Sequence, residues 1–245
     1  MAPSVDALRQ FVVSPRAFFA ERPPADTIGV SVVLVVLFSG CLVGGMLMLG
    51  SILAGTVDAT VTMDNPAHTP SSFCDQPRDD PDSPLYDGCD EPETVERDAG
   101  PLLQEAVTEY TWIGIVVPPV LWGAAGAVLY GAGRAAGGTP SFGGALSLAG
   151  WATIPEFFRL AVGLVAIRLA LVDLTVTDVD QLEAAMLSAF APIEPILLVA
   201  SLLTAAWQWQ ILSGGLAEEA DIPWRAAAAG VAVPLGLFVL FNTVV

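Results

Sequence analysis

IGVSVVLVVLFSGCLVGGMLMLGSIL, residues 28–53, is an almost wholly apolar run without a charged side chain. A helix needs about 20 mainly apolar residues to cross the ~30 Å hydrocarbon core of a bilayer, at a rise of about 1.5 Å per residue. The run meets that length, so it predicts a transmembrane helix. It exceeds the ~7 to 15 apolar residues of a signal peptide, and we therefore expect it to stay in the mature protein.

Four further apolar stretches follow the first one. Residues 110–133, 195–217 and 226–245 are uncharged, and residues 146–172 are apolar apart from four charged or proline positions. Hydrophobic residues make up 54% of the chain and charged residues 14%, against about a quarter in soluble domains. The sequence therefore predicts an all-α, multi-pass transmembrane helical bundle with five spans.

The third predicted span, residues 146–172, contains Pro155, Glu156 and Arg159. Pro155 removes a backbone donor and disfavours helical geometry at the residue before it, so a break there would make residues 146–153 a separate half-helix. Ionisable groups within a span are functional candidates by default, so Glu156 and Arg159 are candidate functional intramembrane residues. Pro155 joins this set because it lies at the possible helix break. A second interpretation stays open: Pro155 begins a helix, and Glu156 only complements its dipole.

The chain carries no lysine, nine arginines and 26 acidic residues, for a net charge of −17. Acidic residues dominate the joints on both sides of the predicted spans. We interpret this acidic composition as that of a halophilic source, because concentrated salt screens the self-repulsion of so much charge. The chain has no basic face that would displace counterions from phosphates, so we exclude nucleic acid as a partner.

The arginines near the predicted span ends indicate the orientation of the chain. Three precede the first span, one follows the second and one precedes the fifth, namely Arg9, Arg16, Arg22, Arg134 and Arg225. These segments share one side of a five-span protein, and positive charge favours the cytoplasmic side. We therefore predict a multi-pass protein of the cell membrane with a cytoplasmic N-terminus and an extracellular C-terminus.

The sequence divides into a cytoplasmic N-terminal segment, residues 1–26, and a membrane domain, residues 27–245. Four apolar side chains of residues 5–19 fall within reach of one helical face, which predicts a helix lying at the membrane interface. They are Leu8, Phe11, Val12 and Phe19. Pro15 would kink or end that helix. An acidic extracellular loop, residues 56–109, is inserted between the first two spans.

Residues 65–92 of this acidic loop are rich in Pro, Asp and Ser, a composition that predicts a mostly irregular segment. Cys74 and Cys89 both lie in it, on the side predicted to be oxidising, and are therefore disulfide candidates. Two free thiols in the loop are the alternative. The acidic residues lack the spacing of a calcium-binding EF-hand, so we predict no metal site.

Small residues recur at helical spacing in the first two spans. Gly40 and Gly44 form a G-x-x-x-G pair, and positions 123, 127 and 131 repeat a small residue every fourth position. Such faces allow close helix packing. We expect the partners of this protein to be the lipid bilayer and other membrane proteins or further copies of the chain, in contact through these faces.

Catalytic motifs are not found in the sequence. The single histidine, His68, lies in the acidic loop, which excludes a Ser-His dyad or a His-x-x-x-His zinc site within the membrane. A phosphate-binding loop of the G-x-x-x-x-G-K-[ST] type is impossible without lysine. We predict that the protein is not an enzyme and uses no catalytic residues and no cofactor.

Short motifs spread over most of the chain outside the acidic loop resemble the Yip1 family, in particular its prokaryotic members. GGTPSF at residues 137–142 is followed by GWATIP at 150–155, which matches a Gly-aromatic-x-x-x-Pro segment of the family. SPRAFF at residues 14–19 is similar to the Pro-x-x-Phe-Phe segment before the first span. The matching motif residues are Pro15, Phe18, Phe19, Gly150, Trp151 and Pro155.

This resemblance implies five spans with a cytoplasmic N-terminus and implies no catalysis. Eukaryotic relatives act in vesicle traffic with small GTPases through a long N-terminal region, whereas about 27 residues precede the first span here. With the acidic composition, the resemblance points to a halophilic archaeal member.

Two hypotheses for function follow. The first is a non-enzymatic membrane protein of Yip1 type that organises the membrane or recruits partners. The alternative is a component of a small-solute or ion transporter or channel that uses Glu156 and Arg159.

Overall fold

The computed structural model describes residues 5–74 and 88–244 as a mostly helical protein. Residues 75–87, in the middle of the acidic loop, lie outside the described residues. Helix α1 (Val5–Val13) and helix α2 (Pro15–Glu21) come first, and a short 3-10 turn leads into the long helix α3 (Ile28–Thr56). Pro15 occupies the first position of α2, where its missing N–H costs no hydrogen bond, and it separates α2 from α1.

The segment after α3 contains regular structure. Strands β1 (Thr60–Asp64) and β2 (Thr94–Asp98) pair antiparallel with Thr62 opposite Glu96, and the four-residue helix α4 (Ser71–Cys74) lies between them. Both strands lie just outside the Pro- and Asp-rich residues 65–92, so two short strands accompany the helices. Buried side chains explain the two strands, because Val57, Ala99 and Val176 form a small separate core beneath the hairpin.

The remaining helices build the membrane bundle. They are α5 (Ala99–Glu109), α6 (Thr111–Ala135), α7 (Phe142–Trp151), α8 (Ile154–Leu171), α9 (Leu182–Phe190), α10 (Glu194–Ala220) and α11 (Trp224–Val244). The third predicted span is thus two helices, α7 and α8, separated at residues 152–153. The break lies where the sequence places Pro155, at the second position of α8.

The bundle has two ends that differ in composition. The N-terminal end contains α1, α2 and the joints at residues 136–141 and 221–223, which meet where Thr139 N–H donates to the Ala220 carbonyl at 3.1 Å. The hairpin end contains the two strands and the residues around Val176, whose N–H donates to the Thr56 carbonyl at 2.8 Å. Helices α3, α6, α7 with α8, α10 and α11 run between these two ends.

Three stretches of the described chain are long and apolar enough to cross a membrane, namely Pro24–Thr56, Ala99–Ala135 and Glu194–Ala220. Helix α8 contains three charged side chains, and the described apolar part of α11, Trp224–Leu237, is shorter. Long apolar side chains on α3, α6 and α10 are exposed, among them Leu37, Leu121 and Leu203. Exposed apolar surface of this extent is typical of a protein that contacts lipid.

The interior of the bundle is centred on α7. Ala145, Ser147 and Leu148 of this helix are fully buried, and Ile211 and Leu216 of α10 pack beside them. Helix α7 is only ten residues long, about 15 Å, and is enclosed by α3, α6 and α10. The motif residues of the third predicted span therefore lie in the most enclosed part of the structure.

Candidate functional site

The break between α7 and α8 is a short, fully hydrogen-bonded turn. Ala152 N–H donates to the Leu148 carbonyl at 3.0 Å and Thr153 N–H to the Gly150 carbonyl at 3.1 Å. Glu156 N–H then donates to the Thr153 carbonyl at 3.0 Å, which starts α8. The break thus leaves these backbone donors satisfied, as the interior of a membrane requires.

Glu156 connects the break to two other groups. One of its carboxylate oxygens accepts from Arg159 Nε at 2.7 Å, and the other accepts from Gln208 Nε2 of α10 at 2.8 Å. Gln208 Nε2 also donates to the Ala152 carbonyl at 3.1 Å. The Glu156 side chain is 15% exposed and that of Arg159 37%. The structure therefore brings the candidate residues of the third span together and adds Gln208, which the sequence analysis did not single out.

The guanidinium of Arg159 places a positive charge beside the Glu156 carboxylate, and the Gln208 amide adds a neutral donor. Glu156 lies in the first turn of α8 and also forms an ion pair with Arg159, so both interpretations of this residue stay open. Among the described residues, no group of three His, Cys, Asp or Glu side chains could hold a metal ion.

A polar seam of four side chains, Thr27, Ser31, Ser147 and Trp151, joins the start of α3 to α7. Ser31 Oγ donates to the Ser147 carbonyl at 2.7 Å and lies 3.1 Å from Ser147 Oγ. Thr27 Oγ1 lies 2.9 Å from Ser147 Oγ and accepts from Trp151 Nε1 at 3.0 Å. The seam shows why a glycine precedes Trp151, since a Cβ atom at Gly150 would lie 2.9 Å from Ser31 Cα.

Four aromatic rings fix the N-terminal helices beneath this seam. Phe11, Phe18 and Phe19 surround Trp151, with ring centroids 5.2, 5.3 and 6.1 Å from its own. The three phenylalanines are buried. Phe11 and Phe19 of the predicted apolar face therefore pack against protein, whereas Val12 of the same face is exposed. The position of this segment at the membrane interface stays a prediction. The motif residues Phe18, Phe19 and Trp151 thus form one contact, and Gly150 next to Trp151 contacts Ser31.

At the hairpin end, Cys74 and Cys89 are joined by a disulfide with their Cα atoms 5.7 Å apart. Closing a ring of this size contributes about 3 kcal/mol by restricting the unfolded chain. His68 Nδ1 lies 2.8 Å from the Glu91 carbonyl, a second link across the same segment. The disulfide belongs to the hairpin end, and it is distant in sequence from the break between α7 and α8.

The small-residue faces make no close helix contact within the described part of the chain, and their expected contact with other chains stays a prediction. A Cβ atom at Gly40 or Gly44 would meet no atom within 4 Å, and positions 123 and 131 are equally open. The close contacts lie at neighbouring glycines: a Cβ at Gly45 would lie 3.2 Å from Leu164, and one at Gly126 would lie 3.0 Å from Leu146 Cα. The small-residue faces therefore lie on the surface of the single chain. Other glycines of the same two helices, Gly45 and Gly126, face the neighbouring helices instead.

The residues that the sequence analysis missed are small polar groups within apolar runs. Ser31, Ser147 and Gln208 carry no charge and belong to no recognised motif, yet each needs a hydrogen-bond partner inside a membrane. That requirement is a usable signal, since it marks which face of a span must point inward. The same signal does not identify which helix supplies the hydrogen-bond partner.

Comparison with known proteins gives one match. The model of the Yip1 domain matches residues 9–245, which covers nearly the whole chain. No curated protein and no solved structure matches the chain.

Proposed function

This chain belongs to the Yip1 family, and from that premise we propose that it is a non-enzymatic, five-span membrane protein that recruits partners at its N-terminal end. One observation carries the proposal: α1 and α2 are fixed to the bundle by the aromatic contact of Phe11, Phe18 and Phe19 with Trp151. A docked N-terminal segment presents a constant surface to a partner.

The surface of α1 is suited to a contact. Val12 and Val13 are 48% and 64% exposed, and Arg9 is exposed beside them. Exposed apolar side chains next to a charged one are typical of the centre and rim of an interface. The open glycines of α3 offer a second surface within the membrane, for other membrane proteins or a further copy of this chain.

Co-purification from native membranes tests the recruitment. Wild-type protein should recover a specific partner, and Val13→Asp should reduce that recovery by at least tenfold, because a carboxylate would be desolvated in an apolar contact. Met63→Asp at the hairpin end, where the side chain is 37% exposed, is the matched control and should leave recovery unchanged. Absence of any partner, or equal loss in both variants, would contradict the proposal.

We propose the cell membrane as location, with the N-terminus in the cytoplasm and the C-terminus outside. The arginines around α1, α2 and the joints at the N-terminal end support this orientation. Five helical traverses between the two ends support the odd number of spans. Tags on the two termini should react on opposite sides of intact cells, and reaction on the same side would contradict five spans.

The acidic composition supports a halophilic source as part of the proposal. Melting temperature should rise steeply between low and molar salt, because exposed carboxylates repel one another less when screened. A melting temperature independent of salt would contradict this assignment.

A second candidate function is a transporter or channel component, and one observation favours it. Thr204, 3% exposed, lies one turn before Gln208 on α10, and its hydroxyl has no hydrogen-bond partner among the described residues. With Glu156 and Arg159, it places polar groups beside a broken helix, as in many transporters. Proteoliposome flux tests this candidate: Glu156→Gln should abolish flux, Glu96→Gln on the exposed strand β2 should not, and absence of flux in the wild type would exclude it.

A further inference from the structure

A groove at the N-terminal end lies between α2, the last turns of α10 and the start of α11. Its volume is about 510 Å³, and its walls include Arg16, Ala17 and Ala20 of α2, Gly214 and Glu218 of α10, and Trp224 of α11. Gly214 allows α2 to approach α10 closely, because a Cβ there would lie 2.9 Å from Arg16 N. The groove is therefore built by the docking of the N-terminal segment.

An ion pair forms the polar part of the groove. Arg16 Nε donates to Glu218 Oε1 at 2.6 Å, and the two side chains are 59% and 26% exposed. Among the described residues, no other hydrogen bond engages either side chain. The guanidinium therefore retains donors on both Nη nitrogens, and the carboxylate retains acceptor capacity on Oε2.

The position of the groove in the bundle indicates its environment. Gln210, Gly214 and Glu218 lie on one face along the last turns of α10, which is one of the three candidate spans. Trp224, 40% exposed, packs edge-on against Trp209 with ring centroids 5.6 Å apart. Exposed tryptophan at the end of a span is typical of the headgroup level of a bilayer. The groove thus opens where lipid headgroups lie.

The charges of the groove limit the occupant. Arginine binds phosphate through its planar set of donors, whereas Glu218 would repel a headgroup that presents only negative charge to it. A group that offers a phosphate to Arg16 and a hydrogen-bond donor to Glu218 satisfies both side chains. The neighbouring apolar wall of Ala17 and Ala20 suits the glycerol and upper acyl region of the same molecule.

We propose that this groove binds a phospholipid whose headgroup carries a phosphate and an adjacent N–H or O–H donor. Ethanolamine and glycerol headgroups both meet this requirement. Choline does not, because its quaternary nitrogen carries no hydrogen. The site is independent of partner recruitment, and its test uses no partner protein.

Native mass spectrometry of the full chain in detergent tests the proposal by titration with phosphatidylethanolamine, phosphatidylglycerol and phosphatidylcholine of equal acyl length. We expect the ethanolamine or glycerol lipid to bind at least about tenfold more tightly than the choline lipid, because choline cannot donate the charge-assisted hydrogen bond to Glu218. A preference for one of the two supported lipids identifies the donor as ammonium or hydroxyl. Equal binding of all three lipids would overturn the proposal.

Variants locate the site. Arg16→Gln should weaken binding of the preferred lipid at least tenfold, and Arg9→Gln, which removes an exposed charge of α1 outside the groove, should not. Ala17→Trp fills the groove without changing charge and should also block binding. Arg16→Gln also removes the ion pair that holds α2 against α10, so a loss of binding in that variant has two explanations. Ala17→Trp keeps the ion pair, and its binding, measured at an unchanged melting temperature, is therefore the deciding result. Unchanged binding in Ala17→Trp would place the lipid elsewhere and overturn the assignment.

Discussion

The two faces of α3 differ in how their small residues are used. One face is buried and carries residues at every fourth position, namely Ser31, Val35 and Ser39. The other face carries glycines whose added Cβ atoms would meet nothing within 4 Å, namely Gly29, Gly40, Gly44 and Gly55. Small size alone therefore does not decide which side of a membrane helix packs against its neighbours.

Hydrogen bonding explains why Ser31 lies on the buried face. Lipid offers no partner to a hydroxyl group, so Ser31 lies inside the bundle, where the Ser147 carbonyl accepts its hydrogen bond. A helix face made of glycines has no polar side chain that needs a hydrogen-bond partner, so it can face lipid without leaving a hydroxyl unpaired. The polar residue fixes the rotation of α3, and Gly150 on α7 provides the space for the contact.

The largest expected effect is at the contact point of the buried face. Gly150→Val would place side-chain atoms against Ser31, whose Cα lies 2.9 Å from the added Cβ. Backbone of both helices must move, so we expect a loss of roughly 3 kcal/mol or failure to fold. Thermal unfolding in detergent measures it, with Gly143→Val, an open position at the start of α7, as the control. Equal stability of the two variants would contradict the conclusion that Gly150 provides the space for the contact with Ser31.

The next effect concerns the hydroxyl itself. Ser31→Val removes the donor to the Ser147 carbonyl and enlarges a fully buried side chain, which we expect to cost about 2 kcal/mol. Ser51→Val, at an exposed position of the same helix, should change stability by less than about 0.5 kcal/mol. If both variants unfold at the same temperature, the hydroxyl does not orient α3.

A smaller effect is expected from the indole of the polar seam. Trp151→Phe keeps a ring among the three phenylalanines but removes the N–H that donates to Thr27, at a cost of about 1 kcal/mol. Trp207→Phe is the matched control, because its buried N–H has no partner among the described residues. We expect that variant to be neutral or slightly stabilising. The reverse order of stabilities would contradict the hydrogen-bond explanation.

The smallest loss is expected on the open face. The double variant Gly40→Leu and Gly44→Leu should not lower the free energy of unfolding of the monomer, since no neighbouring atom limits the added side chains and leucine favours a helix more than glycine does. Any self-association through this face should weaken in the same variant. Unfolding in detergent and energy transfer between labelled copies in liposomes measure the two quantities separately. A large loss of monomer stability would show that the face packs within the chain.

Much of the architecture is accessible from the sequence, because its signals are local. The apolar run at 28–53 lies within α3, and the proline at position 155 lies directly after a helix break. The family assignment from the motifs around Gly150 and Pro155 is confirmed by the match over residues 9–245. These features depend on the composition or order of adjacent residues.

Features that depend on pairs of distant residues were not accessible. The seam joins residues 116 positions apart, and Glu156 bonds to Gln208, 52 positions away. The hairpin was missed because its few apolar residues are stabilised by Val176, far away in sequence. The contact of Phe11 and Phe19 with Trp151 is equally hidden, because the amphipathicity of the N-terminal segment is the same whether lipid or protein covers its apolar face.

Indole groups link three different pairs of segments. Trp122 Nε1 donates to the Leu146 carbonyl of α7 at 2.7 Å, Trp209 Nε1 to the Ala228 carbonyl of α11 at 3.0 Å, and Trp151 Nε1 to Thr27. Each proton exchanges with deuterium only when its own junction separates. The exchange rates of these three protons, resolved by nuclear magnetic resonance, would therefore give the order in which the helices of the bundle come apart, without any introduced label.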